Sequence, residues 1–153
     1  MNTETQSLLP AIEEFVRTRK SLTLATVSDT GEPHASYAPF LWHGQKFYIF
    51  VSQLAVHTKN LSRQTPCHVM LIRDESQSPN VFARERLSLQ CHVEFVPRDS
   101  QDFEPLMERM GLRFGPVIAN LQSLPDFSLF ALAPQHGVYV QGFAQAHPIS
   151  FID

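Results

Sequence analysis

The feature that most restricts the fold of this chain is the β-type run over residues 84–96. At thirteen residues it is long enough to curve around a barrel, and a strand of that length in an open sheet would leave extended edges exposed. Shorter β runs accompany it at residues 22–27, 34–41, 46–52, 67–72, 127–132 and 138–143. Turn-forming stretches separate several of them: Asp29-Thr30-Gly31-Glu32-Pro33, His43-Gly44-Gln45 and Pro134-Gln135-His136-Gly137. The first three runs read as an antiparallel meander. Within the second, Pro39 has no N–H for a ladder hydrogen bond, so it requires an edge, a bulge or a strand end.

Three stretches carry helical spacing instead. Leu8, Ile12, Phe15 and Val16 make an amphipathic helix over residues 8–20, with Ser7 as its expected N-cap. A short helix fits residues 55–64 and must stop before Pro66, because proline disfavours the helical conformation of its predecessor. Phe103, Leu106, Met107 and Met110, then Phe114, Val117, Ile118 and Leu121, describe a helical hairpin over residues 99–122, with Pro105 in a first turn. The expectation is one domain over residues 1–153, mainly β with peripheral helices. Its main barrel strands lie in 21–96 and its closing strands in 127–143, giving a six- to seven-stranded antiparallel barrel. So small a barrel is too narrow to hold a ligand inside, so a binding site belongs on its outer wall or at an interface.

Composition removes several classes of partner. Twelve Lys and Arg against fifteen Asp and Glu give a net charge of −3, which offers no global attraction for nucleic acid or an anionic membrane. The first residues lack a basic then apolar signal pattern, and no apolar run reaches membrane-spanning length, so the chain is read as soluble and cytoplasmic. Cys67 and Cys91 lack zinc-site spacing and fall in apolar runs, which reads as buried reduced thiols. The seven histidines show no HxH or HxxxH spacing, and no GxSxG, P-loop or GxGxxG motif occurs.

The chemistry-bearing residues concentrate around residues 52–61. A strand ending in Ser52 runs into a helix whose first turn holds His57, Thr58 and Lys59. Hydroxyls, unpaired N–H groups and a cation there make an arrangement able to bind phosphate, or an ordinary helix start with a solvated lysine. Arg84 and Arg86 alternate along the long run and are expected on one face, either completing an anion site or facing solvent. Trp42, beside Tyr37, Phe40 and Phe47, reads as packing.

Several of these segments together resemble the pyridoxamine-5′-phosphate-oxidase-like FMN-binding split-barrel superfamily. They are Gly31-Glu32-Pro33-His34-Ala35-Ser36-Tyr37-Ala38-Pro39-Phe40, Phe47-Tyr48-Ile49-Phe50-Val51-Ser52, His57-Thr58-Lys59-Asn60-Leu61, Phe82-Ala83-Arg84-Glu85-Arg86-Leu87 and Arg113-Phe114-Gly115. Within the superfamily they are most similar to the haem-utilisation (HugZ/HutZ-type) branch. The resemblance implies a homodimer of split barrels with two clefts between subunits, each taking FMN or, in this branch, haem. It implies that a flavin ring would lie along Ala35, Ser36 and Tyr37. Its phosphate would be held by Ser52, Lys59 with His57 beside it, and Arg84 or Arg86. Oxidases acting on the vitamin carry Arg-Leu-x-Pro near the C-terminus; here the stretch reads Ala131-Leu132-Ala133-Pro134, a departure from that pattern. Haem-degrading relatives draw a histidine from a C-terminal tail, so the axial candidates are His147, which lies nearest the end of this sequence, and His57. The leading expectation is therefore an FMN-dependent oxidoreductase, with a haem-binding or haem-degrading protein and a non-catalytic cofactor-binding dimer as alternatives.

Overall fold

A computed structural model describes residues 1–153. Helix α1 (Thr3–Arg17) leads into strands β1 (Ser21–Val27), β2 (Pro33–Pro39), β3 (Leu41–His43) and β4 (Lys46–Ser52). Helix α2 (Val56–Ser62) and strands β5 (Cys67–Ile72) and β6 (Arg86–Val96) follow. Helices α3 (Phe103–Phe114) and α4 (Val117–Gln122) precede the closing strands β7 (Phe127–Val140) and β8 (Ala146–Ser150). All pairings are antiparallel, in the order β2-β1-β5-β6-β7-β4-β3, with β8 also paired to β7. The mainly β split-barrel class expected from the sequence is the one observed.

Four local expectations are corrected. Helix α1 is capped by Asn2, whose Oδ1 accepts from the Thr5 N–H at 2.8 Å, whereas Ser7 donates its hydroxyl to the Glu4 carbonyl. The earlier start is fixed by a tertiary bond, since the buried Thr5 accepts the Ser150 N–H at 2.8 Å. The second expected strand is divided at Phe40: its N–H still bonds the Lys20 carbonyl at 3.1 Å, in register with the β1–β2 ladder, and from Leu41 the chain pairs with β4 instead. The meander is therefore interrupted: β2 pairs with β1 and β3 with β4, at opposite ends of the sheet path.

The long strand begins at Arg86, so Arg84 is not on it. Asn80 caps a 3-10 turn over Val81–Ala83 by accepting the Phe82 N–H, and the chain is not extended until Arg84. Residues 134–137 are not a turn but the middle of the fourteen-residue β7; seven strands form the sheet path, and β8 pairs with β7 beside it. Gly137 is there because a Cβ would meet the Ser88 carbonyl oxygen, beside a register shift at Gln90 and Cys91.

The inner face of the curled sheet buries a cluster that includes Leu22, Leu24, Ile49, Val69, Leu71, Leu87, Leu89 and Phe130, closed by Ile12, Phe15 and Val16 of α1. A second cluster joins α3 and α4 to Leu41, Phe50 and Leu129. On the outer face, pairing register aligns Tyr37, Thr23, Met70, Ser88 and Val138 in one row across five strands. Ala35, Ala25, His68, Gln90 and His136 form the next row. Neither row contains Lys, Arg, Asp or Glu.

Candidate functional site

The junction between β4 and α2 is organised around Ser52. Its carbonyl accepts the Ala55 N–H at 3.1 Å and the Thr58 hydroxyl, and its own hydroxyl accepts the Leu54 N–H at 3.1 Å. The single proton of the Ser52 hydroxyl goes to Asp126 Oδ2 at 3.3 Å. Thr58 is buried and faces inward, so it braces the junction rather than presenting a free donor. Lys59, on the same short helix, is exposed.

His57 reaches β2. Its Nδ1 lies 2.8 Å from Ser36 Oγ, and burial, followed by the neighbouring His34, holds its pKa below the ordinary imidazole value. A neutral ring is the result at neutral pH, with Nδ1 engaged and Nε2 left for another contact. Asn60 fixes the helix to β1 by donating Nδ2 to Thr26 Oγ1 at 3.0 Å, both residues being buried. At the helix end, Arg63 Nη1 donates to the Val27 carbonyl at 3.1 Å.

The structure divides the other expected site residues. Ser36 points with His57 toward the covered side of β2, while Ala35 and Tyr37 lie on the outer wall, where Tyr37 is 69% exposed. Tyr37 lines a cavity of about 500 Å³ together with Arg19, Lys20, Thr23, Met70 and Ile72. Arg84 donates Nε and Nη2 to the Arg73 carbonyl, and its Nη1 is 3.8 Å from Glu75. Arg86 pairs with Ile72 in register and donates to the Arg84 carbonyl at 3.1 Å. These arginines stand at the Ile72 end of β5, beside the Ser21 end of β1, whereas α2 and Lys59 are anchored at the Val27 end. One chain therefore brings Ser52, His57, Thr58 and Lys59 together but not Arg84 or Arg86 with them.

His147 sits in β8 opposite Tyr139, with Nδ1 3.6 Å from Glu4 Oε1. It is five pairing steps from β2 along the path β2-β1-β5-β6-β7-β8, so the two axial candidates are separate. Two partners of the site were not legible in local sequence. Asp126 meets Ser52 across 74 residues, and Glu85 is held by Arg73 at 2.7 Å and touched by the Tyr139 hydroxyl at 3.4 Å. No short motif encodes either contact, although the strand-ending Ser52 did mark the junction.

The pyridoxamine 5′-phosphate oxidase family profile matches residues 8–141. The haem oxygenase HutZ of Vibrio cholerae serotype O1 is 41% identical over 143 residues, covering 94% of this chain and 81% of HutZ. A crystal structure of HutZ, described there as a haem storage protein, superposes with a TM-score of 0.81 at 40% identity, covering 87% of this chain and 94% of that one. Campylobacter jejuni ChuZ gives a TM-score of 0.87 at 28% identity, and the match spans 99% of this chain but 61% of ChuZ. With that fold, that junction and a family match over nearly its whole length, the chain belongs to the pyridoxamine 5′-phosphate oxidase family.

Proposed function

We propose that this protein binds haem in a cleft between two copies of itself and acts in haem utilisation as a haem oxygenase of the HutZ type. The observation that carries this reading is the 41% identity to a haem oxygenase across 94% of the chain. The outer wall supports it physically. Two adjacent rows without formal charge provide a surface that loses little on desolvation, and Tyr37 and Met70 offer a soft, flat contact for a macrocycle. Two-fold stacking of such walls would carry the Arg84 and Arg86 end of one copy toward the Lys59 end of the other, so cations apart in one chain would meet across a dimer.

Haem, when bound, supplies a redox-active iron, while the protein supplies the flat face, cations for the propionates and an imidazole. His57 and His147 are the two imidazole candidates. Titration of purified protein with haemin, followed at the Soret band, tests the reading; a defined shift at one haem per chain is expected. The same titration with His57→Ala and His147→Ala identifies the ligand. Sedimentation at micromolar concentration should give a dimer of the 17.4 kDa chain. Absence of any Soret shift would sink the haem reading.

A flavin reading is supported by the family match over residues 8–141 and by exposed Lys59. The junction fits an FMN phosphate less well, because the Ser52 proton is already given to Asp126, and a dianion there would face that carboxylate. Titration with FMN and riboflavin separates the two: FMN binding much tighter than riboflavin would favour the phosphate site.

A further inference from the structure

The cavity of about 500 Å³ at the Ser21 end of β1 has the size of a ligand site. Tyr37, Met70 and Ile72 line it, together with the cations Arg19 and Lys20 and one carboxylate, Asp74. The two cations are used differently. Arg19 is 3.5 Å from Asp74 and 3.4 Å from Gln77, and its guanidinium lies 5.7 Å from the Phe15 ring centre, so its charge is committed to holding the residue 74–77 loop against α1. Lys20 is exposed and has no carboxylate partner.

The backbone that carries Lys20 is fixed from behind. The Arg19 carbonyl accepts from Arg113 Nη2, and the Lys20 carbonyl accepts the Phe40 N–H at 3.1 Å. Arg113 is itself sandwiched at 5.3 Å from the centres of Phe40 and Phe114. The Arg113-Phe114-Gly115 segment therefore has a physical role: it clamps the turn from which an unpaired ammonium enters the cavity beside Tyr37.

We infer that Lys20 is the anion-binding corner of the haem cleft, receiving one propionate carboxylate while Tyr37 contacts the ring, with Arg113 as a positioning residue. The assignment rests on the haem reading above and names a cation that reading did not include. A solvent-accessible pair of this kind contributes up to about 1 kcal/mol, about fivefold in affinity.

The test is a Soret titration of wild type, Lys20→Gln and Lys20→Arg with haemin and with haemin dimethyl ester, whose carboxylates are blocked. Lys20→Gln should weaken haemin about fivefold and leave the diester unchanged, and Lys20→Arg should keep haemin affinity near wild type. Unchanged haemin affinity in Lys20→Gln, or equal weakening of haemin and diester, overturns the assignment while the haem reading stands. A wild type that binds no haemin overturns both. Because Lys20 is exposed, the variants should keep the wild-type circular dichroism spectrum.

Discussion

Asn60 donates to Thr26 across 3.0 Å in a site where both side chains are almost wholly hidden from solvent, and this bond locks α2 onto β1. Its loss leaves a buried amide without a partner. Thr26→Val should therefore cost about 1–3 kcal/mol, measured by urea denaturation. A change below a few tenths of that range would show that water or a shifted helix replaces the contact.

Cys67 and Cys91 stand opposite one another on β5 and β6, both buried and both reduced. Burial pushes the Cys67 thiol up to about 12, and burial together with Cys67 pushes Cys91 higher still. Since the thiolate is the reactive form, native protein should resist a thiol-disulfide reagent at pH 8, roughly the ordinary cysteine range, and should release both thiols only in denaturant. Rapid native labelling would contradict the packing of the inner face.

Stability should decline as pH falls below 6.5. His57 is held below that ordinary value by burial and then His34, and His68 by burial and then His136. Well above 6.5 both rings are neutral folded or unfolded, and the contribution is complete. Below it the unfolded chain takes up protons that the folded chain refuses, and the loss continues down to the depressed folded values. The urea midpoint should drop between pH 7 and about 5, and a His57→Gln, His68→Gln double variant should show a flatter profile. An identical slope in that variant would assign the effect to other groups.

Gly137→Ala should destabilise the protein by about 3 kcal/mol, as expected for forced overpacking, because the added Cβ meets backbone that cannot swing aside. Urea titration of this variant, beside Gly111→Ala, where a Cβ meets nothing within 4 Å, isolates the close approach from the general effect of replacing glycine. Similar losses in both would refute the strand-contact account.

That glycine also explains where sequence reading stopped. Pro134-Gln135-His136-Gly137 has turn chemistry, but the glycine serves the approach of β6, a neighbour forty-nine positions away in sequence at Ser88. The alternation in β1 and β5 was legible because one face of each strand meets the core, and β4 was legible as a continuous apolar run because both its faces are covered. The helical hairpin was legible for the same reason, through the apolar spacing of α3. At the candidate site, the 52–61 segment was visible as a local cluster, and the structure does gather Ser52, His57 and Thr58 there. Arg84 could not be separated from Arg86 by alternation, because the Asn80-capped turn that delays the strand depends on how the preceding loop returns to β5. Asp126 carried no local signal at all, being placed by an arginine that gathers three carbonyls: Arg98 donates to those of Gln122, Leu124 and Phe127.

The parting of the second strand at Phe40 has a consequence for how the molecule can grow. It leaves β2 as a free border of the sheet, and that border carries an exposed proline at each end, Pro33 and Pro39. Neither can lend an N–H to an incoming strand, so the seven-residue border is a poor template for adding another chain edge to edge. Open-ended fibre growth through this side is thereby disfavoured.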